Sequence, residues 1–129
     1  MKIDVIIPTY KPGKEFQELI HRLQKQIYPI HRIIVINTQT GVFPTELESE
    51  PYQIELTHIR PEDFDHGGTR NMGASISQAD IVLYMTQDAV PEDENLIETF
   101  ANVFEKHPEI GIAYGRQLPR EDCNVIERY

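Results

Sequence analysis

Two short β-branched runs with an amphipathic helix between them restrict this chain more than any other feature. Ile3-Asp4-Val5-Ile6-Ile7, closed by Pro8, and Ile33-Ile34-Val35-Ile36 are apolar almost throughout rather than at alternate positions. That is the form of strands buried on both faces of a parallel sheet. Between them Phe16, Leu19, Ile20, Leu23 and Ile27 recur at i, i+3, i+4, i+7 and i+11, one apolar stripe on a helix that Pro29 ends. Parallel neighbours need such a crossover, so residues 3–37 predict a β-α-β unit.

The alternation continues. Ile54, Leu56 and Ile59 suggest a third strand. Thr69, after Gly67-Gly68, is positioned to cap a helix to about Gln78 with Met72, Ile76 and Ala79 inward. Ile81-Val82-Leu83-Tyr84-Met85 reads as a fourth strand. Past Pro91, Glu92-Asp93-Glu94 favours a helix start through the macrodipole, and Leu96, Ile97, Phe100, Val103 and Phe104 supply its apolar face as far as Pro108. Ile110 to Tyr114 reads as a fifth strand, and Gly115 to Tyr129 is an aperiodic polar tail. The order β-α-β-β-α-β-α-β predicts an α/β fold with a mostly parallel open sheet and helices on both faces, Rossmann-like in its connections. With 129 residues and 40% apolar content, one packed domain is expected. Ligands of such sheets sit outside the strands' carboxyl ends, here Pro8 to Lys11, Asn37 to Gly41 and Thr86 to Pro91.

Composition excludes several classes. A net charge of −9 opposes binding to nucleic-acid backbones, so no nucleic-acid partner is expected. No apolar run approaches the roughly 20 residues that span a bilayer, and Met1-Lys2-Ile3-Asp4 lacks a signal peptide's apolar segment, which predicts a cytoplasmic protein. The single cysteine, Cys123, forms no internal disulfide or thiolate zinc cluster, so a metal would be held by oxygen or imidazole.

At the ligand edge, Asp88 in Thr86-Gln87-Asp88-Ala89 has two readings of equal weight. Either it holds a divalent cation whose remaining ligands are substrate phosphates and water, or it caps the turn before Pro91. Phe64-Asp65-His66-Gly67-Gly68-Thr69-Arg70-Asn71 is either an ordinary turn before a helix or a phosphate site built from helix-start amides and Arg70. It is neither a Walker loop nor a dinucleotide fingerprint. His66 is read as a solvated loop group. Thr9 and Tyr10 offer a hydroxyl and an aromatic face suited to a nucleobase, against the plainer reading of packing. Asp4, inside an apolar run, is read as pairing at the strand's start.

Taken together, Val5-Ile6-Ile7-Pro8-Thr9-Tyr10, Arg70-Asn71-x-Gly73 and Thr86-Gln87-Asp88-Ala89-Val90-Pro91 resemble the N-terminal, nucleotide-sugar-binding half of an inverting family-two glycosyltransferase of the GT-A fold. The segment from Phe64 to Asn71 with the Gln87-Asp88 pair is similar to the rhamnosyltransferase branch. The resemblance implies a nucleotide-sugar donor, dTDP-rhamnose or a UDP-sugar, a saccharide acceptor, and Mg²⁺ or Mn²⁺. It implies donor-binding roles for Pro8, Thr9, Tyr10, Asn37, Thr38, Arg70 and Gln87, with Asp88 as the metal ligand. Asn37 and Thr38 stand where the family has acidic residues after the second strand, and Thr86 stands where its metal motif has a first carboxylate. No residue up to Tyr129 suits the catalytic base. The resemblance therefore implies that residues 1–129 are a single, truncated nucleotide-sugar-binding portion lacking the acceptor half. Alone, such a portion is expected to be inactive and to form a homodimer through its uncovered surface, the full-length protein working at the inner face of the membrane. The competing reading is a non-catalytic nucleotide-binding or protein-interaction module.

Overall fold

The computed structural model describes residues 1–41 and 54–109. Among these, four parallel strands form one sheet: β1 (Ile3–Tyr10), β2 (Arg32–Thr38), β3 (Ile54–Ile59) and β4 (Ile81–Tyr84), in the order β3-β2-β1-β4. Three helices accompany them: α1 (Lys14–Gln24), α2 (His66–Ile76) and α3 (Leu96–Lys106). The predicted parallel α/β architecture is present. The fifth strand expected at Ile110 to Tyr114, the tail and Cys123 lie outside the described residues.

Strand alternation distributes the helices. Ile3, Val5, Ile7, Ile33 and Val35 pack with Phe16, Leu19, Ile20 and Leu23 of α1 and with Ile97 and Ala101 of α3. Ile6, Ile34 and Ile36 face the other way, toward Ala74 and Ile76 of α2. Each fully buried aliphatic side chain stabilises the fold by about 1.5–3 kcal/mol relative to an exposed one, so β1 and β2, buried on both faces, are firmly held. Their carboxyl ends are a fixed platform.

At the opposite end of the sheet, Asp4 is fully buried. Its carboxylate accepts hydrogen bonds from His31 Nδ1 at 2.9 Å and Ser77 Oγ at 2.6 Å, with Arg32 Nε at 3.8 Å. Arg32 also pairs with Glu55 and donates to the Ile76 carbonyl at 2.7 Å. A buried charge is tolerable only with such partners, and these tie β1, β2 and β3 to the end of α2.

Three sequence expectations are corrected. The first helix ends at Gln24, before Ile27, which is exposed because the chain has already turned to let Ile27 N donate to Glu94 O at 2.9 Å. The second helix starts at His66 and is capped by Asp65, whose side chain accepts from Gly68 N at 2.7 Å, so Thr69 lies inside it and is buried. Met72 of α2 is exposed, and Ala79 lies beyond the helix end at Ile76. The contact with the sheet at that level is made by Gly73, whose missing side chain lets the helix approach Ile6 and Ile36.

Candidate functional site

The strand order places β2 and β3 on one side of β1 and β4 on the other. The carboxyl ends of β1 and β4 therefore flank the point where the connections reverse direction, where open α/β sheets leave a crevice for ligands. A cavity of about 180 Å³ lies there, lined by Pro8, Thr9, Tyr10, Phe64, Thr69, Arg70, Thr86 and Gln87. Five of the residues singled out from sequence, Pro8, Thr9, Tyr10, Arg70 and Gln87, meet in it. They come from β1, α2 and the loop after β4.

Each wall has a local cause. Pro8 and Thr9 continue a strand whose inner residues are locked in the core. Tyr10 emerges at its end with the ring exposed, and Lys11 Nζ stands 5.5 Å from the ring centroid. Lys11 takes a left-handed conformation, φ 47°, which costs a non-glycine residue about 1 kcal/mol and turns the chain sharply toward α1. Asp65, by capping α2, fixes the start of the helix that carries Thr69 and Arg70 to the cavity. The Tyr84 hydroxyl donates to the Arg70 carbonyl at 3.5 Å, joining the helix to β4. Gln87 closes the wall, its amide bonded to the main chain of Tyr10. A second cavity, of about 340 Å³, adjoins the first through Gln87 and is lined by Lys11, Gly13, Lys14, Glu15 and Phe16. In a chain of net charge −9, the cations Lys11, Lys14 and Arg70 gather along this edge, which suits an anionic ligand.

Asn37 and Thr38 lie one strand away, both buried. Thr9, Asn37 and His58 are lateral neighbours across β1, β2 and β3. Thr9 Oγ1 donates to Asn37 Oδ1 at 2.8 Å, and Asn37 Nδ2 stands 3.0 Å from His58 Nδ1. Asn37 thus supports Thr9 from behind, and Thr38 lies beside Tyr10 in the ladder. Asp88 is exposed beside Gln87, and its Oδ1 accepts from Thr86 Oγ1 at 3.0 Å. Among the described residues no group of three His, Cys, Asp or Glu side chains is arranged to hold a metal ion. One oriented carboxylate fits a cation only where a diphosphate and water complete the coordination, a role that Mg²⁺ commonly accepts. Sequence reasoning did not single out Phe64 as a wall or His58 as the partner of Asn37. The alternation of β3, which places Ile54, Leu56 and His58 on one face, carried a signal for the second.

Residues 4–129 match the sequence profile described as glycosyl transferase family 2. The chain is 37% identical over 128 residues to the O-antigen chain rhamnosyltransferase RfbN of Salmonella typhimurium, covering 98% of this chain and 40% of that one. It is 34% identical over 124 residues to the O-antigen chain rhamnosyltransferase WbaN of Salmonella anatum, covering 95% and 39%. It therefore spans about two fifths of the length of these relatives. In three dimensions it is similar to TarS 1–349 of Staphylococcus aureus, with a TM-score of 0.69 at 22% identity over 93% of this chain and 39% of that one. A crystal structure of the same TarS portion in complex with UDP-GlcNAc gives a TM-score of 0.66 at 23% identity, covering 93% and 37%. The fold is the GT-A type expected. No helix among the described residues is long and apolar enough to cross a membrane.

Proposed function

The chain belongs to glycosyl transferase family 2, and from that premise we propose that residues 1–129 form the nucleotide-sugar-binding portion of a transferase that moves rhamnose from dTDP-rhamnose to a saccharide acceptor with inversion. The observation that carries this reading is the convergence of Pro8, Thr9, Tyr10, Arg70 and Gln87 on one cavity at the reversal point of the sheet. The rhamnosyltransferase relatives support the choice of sugar.

In this reading the exposed ring of Tyr10 offers the base a stacking face, and the hydroxyl of the preceding Thr9, another residue lining the cavity, is held by Asn37. Arg70 supplies a guanidinium for the diphosphate, for which charge-assisted hydrogen bonds are the strong kind. Asp88, turned by Thr86, would hold Mg²⁺ or Mn²⁺ together with the diphosphate oxygens. Such a cation, when bound, neutralises charge on the nucleoside-diphosphate leaving group. Deprotonation of the acceptor hydroxyl requires a base within hydrogen-bond reach, and none of the residues around this cavity is assigned that part.

The test is calorimetric titration of dTDP and UDP into the chain with Mn²⁺ and with EDTA, repeated on Asp88→Asn. Binding is expected to depend on Mn²⁺ in the wild type and to lose that dependence in Asp88→Asn. Equal affinity with EDTA removes the role given to Asp88. No binding of either nucleotide under any condition favours a non-catalytic interaction module, a reading that the single carboxylate beside Gln87 also permits.

A further inference from the structure

β1 and β4 pair in parallel from Ile3 opposite Ile81 to Ile6 opposite Tyr84. Even-numbered residues of this part of the chain turn their carbonyls toward β4: Ile81 N donates to Lys2 O at 3.0 Å and Met85 N to Ile6 O at 3.0 Å. Ile3 turns the other way and accepts from His31 N at 2.8 Å. By the same alternation Pro8 is next to face β4, and proline has no N–H to give. The ladder stops there while β1 runs on to Tyr10.

Tyr10 is the following residue that faces this gap, and one side chain takes both of its main-chain groups. Tyr10 N donates to Gln87 Oε1 at 2.7 Å, and Gln87 Nε2 donates to Tyr10 O at 3.0 Å. A primary amide carries the acceptor and donor of a peptide unit, so the Gln87 side chain stands in for the missing continuation of β4. Both of its polar atoms are engaged in holding Tyr10, and the next residue in the chain is Asp88.

We propose that Gln87 is a positioning residue: its amide splints the end of β1 to the loop after β4, fixing where Tyr10 presents its ring and how far that ring stands from Asp88. Gln87 then acts on ligand binding through Tyr10 rather than by touching the nucleotide with its polar atoms. This rests on the reading of the cavity as a nucleotide site. Glutamate keeps the length and the acceptor but sets a carboxylate oxygen against the Tyr10 carbonyl, and methionine keeps the length with neither group.

The experiment measures thymidine and dTDP with Mn²⁺ against the 129-residue chain carrying Gln87→Met, Gln87→Glu, Tyr10→Ala and the double variant Tyr10→Ala with Gln87→Met, each checked by a thermal melt. Thymidine has no diphosphate, so it reports the base end alone. Gln87→Met is expected to weaken thymidine and dTDP alike, by about tenfold, the scale of one or two lost hydrogen bonds, while Gln87→Glu weakens thymidine by a similar factor and dTDP further, because its new charge repels the diphosphate. In the Tyr10→Ala background Gln87→Met adds less than about twofold, because no ring remains to be placed. If Gln87→Met weakens dTDP but leaves thymidine untouched, or if its effect is undiminished on top of Tyr10→Ala, Gln87 contacts the ligand directly and the proposal is overturned. Should Gln87→Met fail to fold, Gln87→Glu decides through thymidine alone, which carries no charge to meet the new carboxylate: a loss of thymidine binding that disappears on top of Tyr10→Ala supports the proposal, and an undiminished loss or no loss overturns it. Failure of the wild type to bind dTDP would instead sink the nucleotide reading, and this inference with it.

Discussion

Replacing Gly73 by alanine is expected to destabilise the chain even though alanine is the better helix former. A Cβ there would stand 2.5 Å from Ile6 Cγ2, 3.1 Å from Ile6 Cδ1 and 3.3 Å from Ile36 Cδ1. Both isoleucines are fully buried. The Cγ2 of Ile6 sits directly on a branched β carbon whose χ1 is restricted, in a fully buried position of a strand paired on both sides, so it has little room to swing away. Helix α2 must lift instead. Overpacking of this kind costs about 1–3 kcal/mol, and the gain in helix propensity returns about 1 kcal/mol. An approach of 2.5 Å belongs in the upper part of that range, so the net loss is about 1–2 kcal/mol, or roughly 4–8 °C in Tm for a chain of this size. Gly67→Ala is the control, since among the described residues a Cβ there would meet Asp65 Oδ2 at an ordinary 3.9 Å, and its stability should hold or rise. Urea midpoints give the comparison at constant m. Because α2 carries Thr69 and Arg70 to the cavity, Gly73→Ala should also weaken dTDP binding. A Gly73→Ala variant as stable as the wild type would refute the close-packing argument.

Two further expectations can be checked with simple reagents. Arg70→Ala should weaken dTDP more than thymidine, while Tyr10→Ala weakens both alike; the reverse pattern in calorimetry would show the phosphate and base ends exchanged. Asp4→Leu removes the acceptor shared by His31, Ser77 and Arg32 and should cost about 3 kcal/mol, read as a lowered urea midpoint, with Asp4→Asn costing less because it keeps an acceptor for Ser77. Equal midpoints for Asp4→Leu and the wild type would mean that these contacts contribute nothing net.

What was legible in the sequence was whatever burial dictates. β1 and β2 are buried on both faces and so read as unbroken apolar runs, and the faces of α1 and α3 read as stripes of helical period. Element ends were less legible, because they depend on contacts with distant residues. The apolar spacing of α1 continues to Ile27, yet the helix stops at Gln24, since Gln26 is used elsewhere: its Nε2 donates to Asp93 O at 2.8 Å and its Oε1 accepts from Ile97 N at 3.1 Å. That side chain caps α3, for which no local capping side chain bonds the helix start. In α2 the periodicity pointed to Met72 because hydrophobicity scales reward a large side chain, whereas a helix lying this close to a sheet needs the smallest one. Thr69 was an acceptable cap by type, but Asp65 stood at the right distance from Gly68 and took the position.

The candidate site divides in the same way. Apart from Arg70, found behind Gly67-Gly68 at a helix start, its members were found because they lie at strand ends, where topology alone sends ligands, but the bonds that hold them run sideways between strands, and periodicity along one strand carries no record of them. Thr9, Asn37 and His58 form such a row, as Tyr10 and Gln87 form another. Two local irregularities did mark such sideways bonds, one at each end of the sheet. A carboxylate inside an apolar run, as at Asp4, requires buried partners wherever it stands. A proline inside a central strand requires that one side of the ladder be interrupted at that point. Pro8 therefore implied a gap between β1 and its neighbour near Tyr10, and a glutamine just after the neighbouring strand is a residue type able to fill it with both a donor and an acceptor.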